Sequence, residues 1–392
     1  MPDKKEFIVI FSTVPFPYGN ASDNAIYTFM DGFQEHGCEG EVVCVYPNSN
    51  PDHHIGKEGE FQGVKYKYLS RRTSDSSSKL IHLWNYWCYP FFAIRRYLKR
   101  KCRENNVSAL FVTHVDRRFL IYSRICKRFG VGVTLVSCEY PMFLTKHPNS
   151  INRYNRYSRY IDKYIFETRT LADFEQKHIL HPIDSLVVPA TMPFDDILNS
   201  TKCPVETYIA YTGSIFSDSK DGLSNIIKAF SWFRFDFPDV KLKLIGRIAN
   251  MEYYNQLVHL VESLGLEGSV SFSGEVSRSD YVNYLTNAEL LIVAKPKDSY
   301  YVGGLSSKVI EYLFSGNPVL MVAADDYVEY LTHGENVYFT DDNMPDTLSQ
   351  AMAVLFNNEE MRKNIGQSGK EYALSHFNYH ILTKGLLHFL TK

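Results

Sequence analysis

The stretch Leu290–Ala323, LLIVAKPKDSYYVGGLSSKVIEYLFSGNPVLMVA, holds the residues of this chain best suited to chemistry. It reads strand, glycine-containing loop, short helix, strand. The helix opens after Gly303, Gly304 and Leu305 with Ser306 or Ser307 as N-cap, and Gly316 followed by Pro318 stops it. Lys308 then falls in the first turn, where the helix macrodipole disfavours a cation by roughly 0.3–1 kcal/mol. An anion docked on the exposed N–H groups reconciles the cation with its position, and the glycines let backbone approach that anion. A phosphate or diphosphate fits. A Lys308–Glu311 surface pair at i,i+3 spacing, worth about 0.2–0.5 kcal/mol, is the plainer alternative. Glu311 lies one turn further in. A carboxylate offers acceptors only, as a ribose diol beside a phosphate site requires; a solvated glutamate is the alternative. Val309, Ile310, Leu313 and Phe314 form the stripe to be buried.

Such a loop needs a parallel sheet to hold it. Short β-rich runs alternate with helix-period runs along the whole chain, the signature of βαβ units. In the first half the strands read Phe7–Ser12, Glu41–Tyr46, Val64–Leu69, Ala109–Thr113, Val133–Ser137, Lys163–Glu167 and Ser185–Val188, with helices such as Ala21–Glu35 and Asp116–Phe129 between them. The second half restarts at Tyr208–Tyr211 and continues through Lys241–Ile245, Val270–Phe272, Leu290–Val293, Val319–Val322 and Val337–Phe339. Leu223, Ile226, Ile227 and Phe230 carry the helical spacing after its first strand. The expected fold class is α/β, with two Rossmann-like parallel-sheet domains facing a central cleft at the carboxyl ends of both sheets. Residues 1–189 form the first domain, 190–204 a proline-containing linker, and 205–375 the second domain. An amphipathic helix at 376–392 is expected to pack back on the first domain.

A chain of 392 residues has room for two domains, and 45% apolar against 22% charged residues excludes disorder. The net charge of −2 gives no chain-wide field for nucleic acid, and none is expected as a partner. Seven scattered cysteines without a CxxC argue against a disulfide framework or zinc site and for a reducing compartment. No secretory signal or spanning segment is visible, so a cytoplasmic protein is expected, one that can rest on the inner face of the plasma membrane. One local imbalance survives: Arg95–Lys163 holds 16 Lys/Arg against 4 Asp/Glu, a net of +12, and aromatic residues interleave across 84–163. That mixture suits an anionic membrane surface or ligand, or else a solvated basic face with its aromatic anchors packed inside. Competing motifs are weak. Gly130–Gly132 precedes a strand instead of following one, and GQSGK at Gly366–Lys370 lacks Walker spacing. There is no GxSxG or HExxH.

The loop segment resembles the donor-binding region of retaining GT-B glycosyltransferases of family 4. There a common variant reads R-P-D-S, about eight residues, then G-F-P-[ST]-K-L-x-E-Y-L-A-x-G-x-P-V; this chain has KPKDSYYVGGLSSKVIEYLFSGNPV. VETYIAYTGSIFSDSKDGLSNIIKAF (Val205–Phe230) resembles the opening of the family's nucleotide domain, and VKLKLIG and VSFSGEVSRSDYVNYLTNAELLIV its next units. PFPYGNASDNAIYTFMDGFQEHG resembles the glycine loop and first helix on the acceptor side, and LVSCEYP (Leu135–Pro141) a strand end that carries an acidic or histidine residue near the reacting sugar. The resemblance implies catalytic roles for Glu139 and Lys220. It implies donor contacts from Gly303, Gly304, Leu305, Ser306, Ser307, Lys308, Glu311, Lys295, Arg247, Gly213 and Ser214, and an acceptor-side loop at Gly19 and Asn20.

Three positions depart from the family pattern. The first Glu of E-x7-E is Gly303, the arginine after the opening glycine is Ser214, and the second glycine of the first loop is Asn20. No Asp-x-Asp occurs anywhere. Lysines and a helix N-terminus offer a metal-free way to stabilise a diphosphate leaving group, so no metal and no cofactor are expected beyond a UDP-sugar or GDP-sugar donor. The resemblance implies hexosyl transfer with retention to a glycan or lipid-linked acceptor, in cell-surface polysaccharide biosynthesis. A sugar-nucleotide epimerase or hydrolase, or a catalytically silent nucleotide-sugar-binding module, are the alternatives.

Overall fold

A computed structural model describes residues 7–12, 15–17, 21–47, 55–70, 78–104, 107–112, 119–138, 150–297 and 304–391. The chain divides into two compact units, Met1–Pro193 with Asn378–Lys392, and Phe194–Phe377. The boundary falls inside 190–204, and that stretch contains a four-residue helix, Asp195–Leu198.

The first unit is built on an eight-stranded sheet. Its strands are β1 (Phe7–Ser12), β2 (Glu39–Cys44), β3 (Glu58–Phe61), β4 (Val64–Tyr68), β5 (Val107–Val112), β6 (Gly132–Ser137), β7 (Lys163–Phe166) and β8 (Asp184–Val187), in the order β3-β4-β2-β1-β5-β6-β7-β8. All neighbours are parallel except β3 and β4. Continuous apolar runs suit strands covered on both faces. Along β1, Val9 and Phe11 enter one core with Leu110, Val112 and Val133, while Ile8 and Ile10 enter the other with Val42, Ala109 and Phe111. The C-terminal helix Tyr379–Thr391 lies on the first helix, Ala21–Glu35: the Tyr379 hydroxyl donates to Asp31 at 2.7 Å, and His380 meets Glu35 at 2.7 Å.

The second unit carries a six-stranded, wholly parallel sheet: β9 (Tyr208–Thr212), β10 (Lys241–Ile245), β11 (Val270–Gly274), β12 (Leu290–Val293), β13 (Val319–Val322) and β14 (Tyr338–Thr340), in the order β11-β10-β9-β12-β13-β14. Chain order reverses between β9 and β12. In open α/β sheets, the carboxyl ends beside such a reversal are where ligands bind.

Every strand read from the sequence is present, with ends displaced by at most about two residues, as fraying and cap geometry allow. β3 escapes sequence reading because all four of its residues are exposed, leaving no apolar alternation to see. It pairs back on β4 through a tight turn at Gln62 and Gly63, both at positive φ. Tyr154, one of the aromatic residues interleaved with basic charge, is buried and gives its hydroxyl to Glu175, so at that position the packed reading holds. Among the described residues no helix is long and apolar enough to cross a membrane.

Candidate functional site

The site is assembled on the second unit from the loops that leave β9, β10 and β12 and from the helix Ser307–Ser315. That helix begins as the sequence suggests. Ser306 is its N-cap, its side chain makes no capping bond, and Gly316 ends it in the left-handed conformation at φ 75°. Its Val309, Ile310, Leu313 and Phe314 are buried. Of the first-turn N–H groups, that of Val309 donates to the Ser306 carbonyl at 2.9 Å, and none receives a side-chain cap from Ser306.

Lys308 meets its anion within the protein. Its Nζ donates to Asp221 Oδ1 at 2.8 Å and to the Tyr211 hydroxyl at 3.1 Å, and the Tyr211 hydroxyl donates to Asp221 Oδ2 at 2.7 Å. The cation at the start of the helix is therefore answered by a carboxylate 87 residues earlier, and the Lys308–Glu311 pair does not form. Burial alone would raise the Asp221 carboxyl, but the Lys308 ammonium outweighs it and holds Asp221 below its ordinary value. Burial pulls the Lys308 ammonium down, against the attraction of Asp221. The field of Lys220, half-buried in the turn Asp218–Asp221, acts on both partners.

Gly213 follows β9 at φ 148°, and a Cβ there would lie 2.5 Å from the Tyr211 hydroxyl and 2.6 Å from Lys308 Nζ. The site can close only around a glycine at this position. Ile215 donates its N–H to the Arg247 carbonyl at 3.0 Å, bringing the loops after β9 and β10 together. Gly222, at φ 65°, leaves no room for a side chain against the Ala294 carbonyl, 2.4 Å from where its Cβ would be. Lys295 follows Ala294 directly, so the loop after β12 joins the same cluster. Gly213, Ser214, Lys220, Arg247, Lys295, Gly304, Leu305, Ser306, Ser307, Lys308 and Glu311 all lie on these gathered segments. Gly303, Glu139, Gly19 and Asn20 lie outside the described residues.

Glu311 is buried, at 5% relative exposure, and both its oxygens are engaged. Arg278 Nη1 donates to Oε1 at 2.5 Å and the Tyr281 hydroxyl to Oε2 at 2.7 Å. Arg278 also grips Asp196 through Nε at 2.7 Å and Nη2 at 3.0 Å. Burial raises the Glu311 carboxyl from its ordinary value, with Arg278 and Tyr281 opposing the rise. Each carboxylate oxygen has a second lone pair, so a diol can add to these bonds without displacing them. The Tyr312 hydroxyl, one residue on, accepts from the Thr212 N–H at 2.6 Å and ties the helix to the end of β9.

Arg278, Tyr281, Asp196, Asp221, Tyr211 and Tyr312 are the participants that sequence reasoning missed. Asp221 stands beside Lys220 in the KDG stretch, and Tyr211 sits in a strand too apolar to leave a hydroxyl unsatisfied. Those were the only signals available. Arg278 has none, since its partner is 33 residues away in the chain.

Residues 204–372 match the family model described as Glycosyl transferases group 1. A 161-residue stretch is 27% identical to an uncharacterised glycosyltransferase of Methanocaldococcus jannaschii, covering 40% of this chain and 38% of that protein. The chain thus spans little more than a third of that relative's length in the match. The whole chain resembles the sucrose-phosphate synthase structure from Thermosynechococcus elongatus at TM-score 0.75, with 12% identity over 98% of each chain. It also resembles the Anabaena protein HepE, solved with UDP and glucose, at TM-score 0.73 and 13% identity over 98% of this chain and 99% of that one. The two α/β units therefore have the GT-B fold, and the segment 204–372, which holds Lys308, Glu311 and the side chains bonded directly to them, matches the model of the glycosyl transferases group 1 family.

Proposed function

We propose that this chain is a retaining glycosyltransferase that moves a hexose from a UDP- or GDP-sugar to a glycan or lipid-linked acceptor in cell-surface polysaccharide assembly. The reading is supported by the family match, by fold neighbours such as HepE that were solved with UDP, and by the site itself. Glu311 carries it: a buried carboxylate, fixed by two donors, one turn inside a helix whose first N–H groups lack a side-chain cap.

In this reading the ribose hydroxyls donate to Glu311, and the diphosphate lies against the backbone of Gly304–Ser307. Lys220, Lys295 and Arg247 supply its countercharge, while Lys308, neutralised by Asp221, serves as a floor for the loop. The bond from the sugar C1 to the β-phosphate oxygen breaks as the acceptor oxygen bonds C1 from the same face. The acceptor proton passes to the departing phosphate oxygen, so no protein nucleophile is required. Charge grows on that oxygen in the transition state, where prearranged N–H groups and cations stabilise it without a metal ion. Glu139 would orient the acceptor hydroxyl.

Gly303 favours a second reading. Without a carboxylate at the first position of E-x7-E, the chain could bind nucleotide sugars without turning them over.

Calorimetric titration with UDP and GDP tests the site. Glu311→Ala should weaken nucleotide binding by about 1–3 kcal/mol, the cost of losing hydrogen bonds to a charged acceptor; unchanged affinity removes Glu311 from the ribose role. Nucleotide release that requires an acceptor supports transfer. Release without one supports hydrolysis, conversion of the donor to an epimeric nucleotide sugar without net release supports epimerisation, and tight binding with neither supports the silent module.

A further inference from the structure

Among the described residues of the first unit, the helical stretch Lys79–Glu104 gathers the largest group of exposed apolar side chains. It runs as an α-helix (Lys79–Leu83), a π-helical turn (Trp84–Cys88) and a second α-helix (Tyr89–Glu104). One face is anchored: Pro90, Ile94, Tyr97 and Leu98 are buried, and Tyr86 stacks on Tyr46 at 4.8 Å between ring centroids. The other face is bare. Leu80 is 79% exposed, Leu83 51%, Trp84 50% and Phe92 68%.

Leu80, Trp84, Cys88 and Phe92 recur every four residues, and Cys88 is exposed too. In a 3.6-residue helix a four-residue step drifts around the axis, and the wider π turn at Trp84–Cys88 reduces that drift. Directly after the stripe come the exposed Arg95 and Arg96. Between residues 79 and 104 the chain holds seven Lys/Arg and one acidic residue, Glu104.

We propose that this face docks on an anionic lipid surface, with Leu80, Leu83, Trp84 and Phe92 entering the headgroup–acyl boundary and Arg95 and Arg96 meeting lipid phosphates. A helix with an aromatic and aliphatic stripe beside a basic flank has the composition of an interfacial helix. A second copy of the chain is the poorer occupant, because a two-fold contact sets this face on itself and brings like charges together. The proposal owes nothing to the donor site, so either can fail alone.

Vesicle flotation of the full chain tests it, with phosphatidylglycerol-containing and pure phosphatidylcholine vesicles as probes. The chain should float with the former, and binding should fall as salt is raised. Arg95→Ala and Arg96→Ala should each reduce partitioning roughly fivefold, the equivalent of about 1 kcal/mol per cation near the surface. The triple variant Leu80→Ser, Trp84→Ser, Phe92→Ser should abolish flotation yet keep nucleotide affinity, which shows that it is folded. No flotation of the wild-type chain, or flotation that both sets of variants leave intact, overturns the proposal. Self-association lost in the triple variant, without vesicle binding, assigns the face to a second copy instead.

Discussion

Burial pushes the Glu311 carboxyl up, and Arg278 with Tyr281 holds that rise in check. The consequence is a pH dependence with a defined sign. A ribose diol is best received by the ionised carboxylate, so nucleotide affinity is present above the Glu311 pKa and lost as pH falls through it. Arg278→Met removes the opposing cation, so the same loss should occur at higher pH. Its stability deficit against wild type should widen as pH rises through the carboxyl's range, because a buried charge is then left without its partner. Parallel pH–affinity curves for the two proteins would show that Arg278 does not govern the charge of Glu311. Lys308 shows what the sequence can and cannot say at this scale. A cation in a first helical turn is legible as an anomaly that demands an anion. That the anion includes Asp221, 87 residues away, is a property of the folded sheet and is written in no local pattern.

Elements were legible wherever burial imposed a period. Central strands such as β1, β9, β12 and β13 are apolar runs because they are buried along nearly their whole length, and the helix Ser307–Ser315 is bounded by residues whose caps have a mechanism. β3 was hidden because nothing buries it. The glycines of GQSGK, read as a poor phosphate loop, turn out to serve packing: they lie in the helix Glu359–His376, and a Cβ on Gly366 would sit 2.3 Å from the Gly316 carbonyl, at the C-cap of the site helix. Gly366→Ala should therefore destabilise the second unit by about 1–3 kcal/mol, the usual range for overpacking. Helix propensity alone predicts the opposite sign, a gain of about 1 kcal/mol. Thermal or urea unfolding decides between them, and a stabilised variant would mean that the two helices part without cost.

For the whole molecule, the linear segments that resemble a family were legible because each places a strand, a loop and a helix in one continuous stretch, and the expected fold class is the one observed. The contacts that tune the site were not, since Arg278, Asp196 and Glu311 come from three separate stretches and meet only after the sheet of the second unit has formed. All of the functional reading converges on one placement, a nucleotide diphosphate at the amino end of the helix Ser307–Ser315. A crystal structure of the protein with UDP tests that placement most directly. It should show the ribose hydroxyls within hydrogen-bonding distance of Glu311 and the diphosphate against the N–H groups of Gly304–Ser307. UDP bound elsewhere, with Glu311 still touched only by Arg278 and Tyr281, would contradict the account.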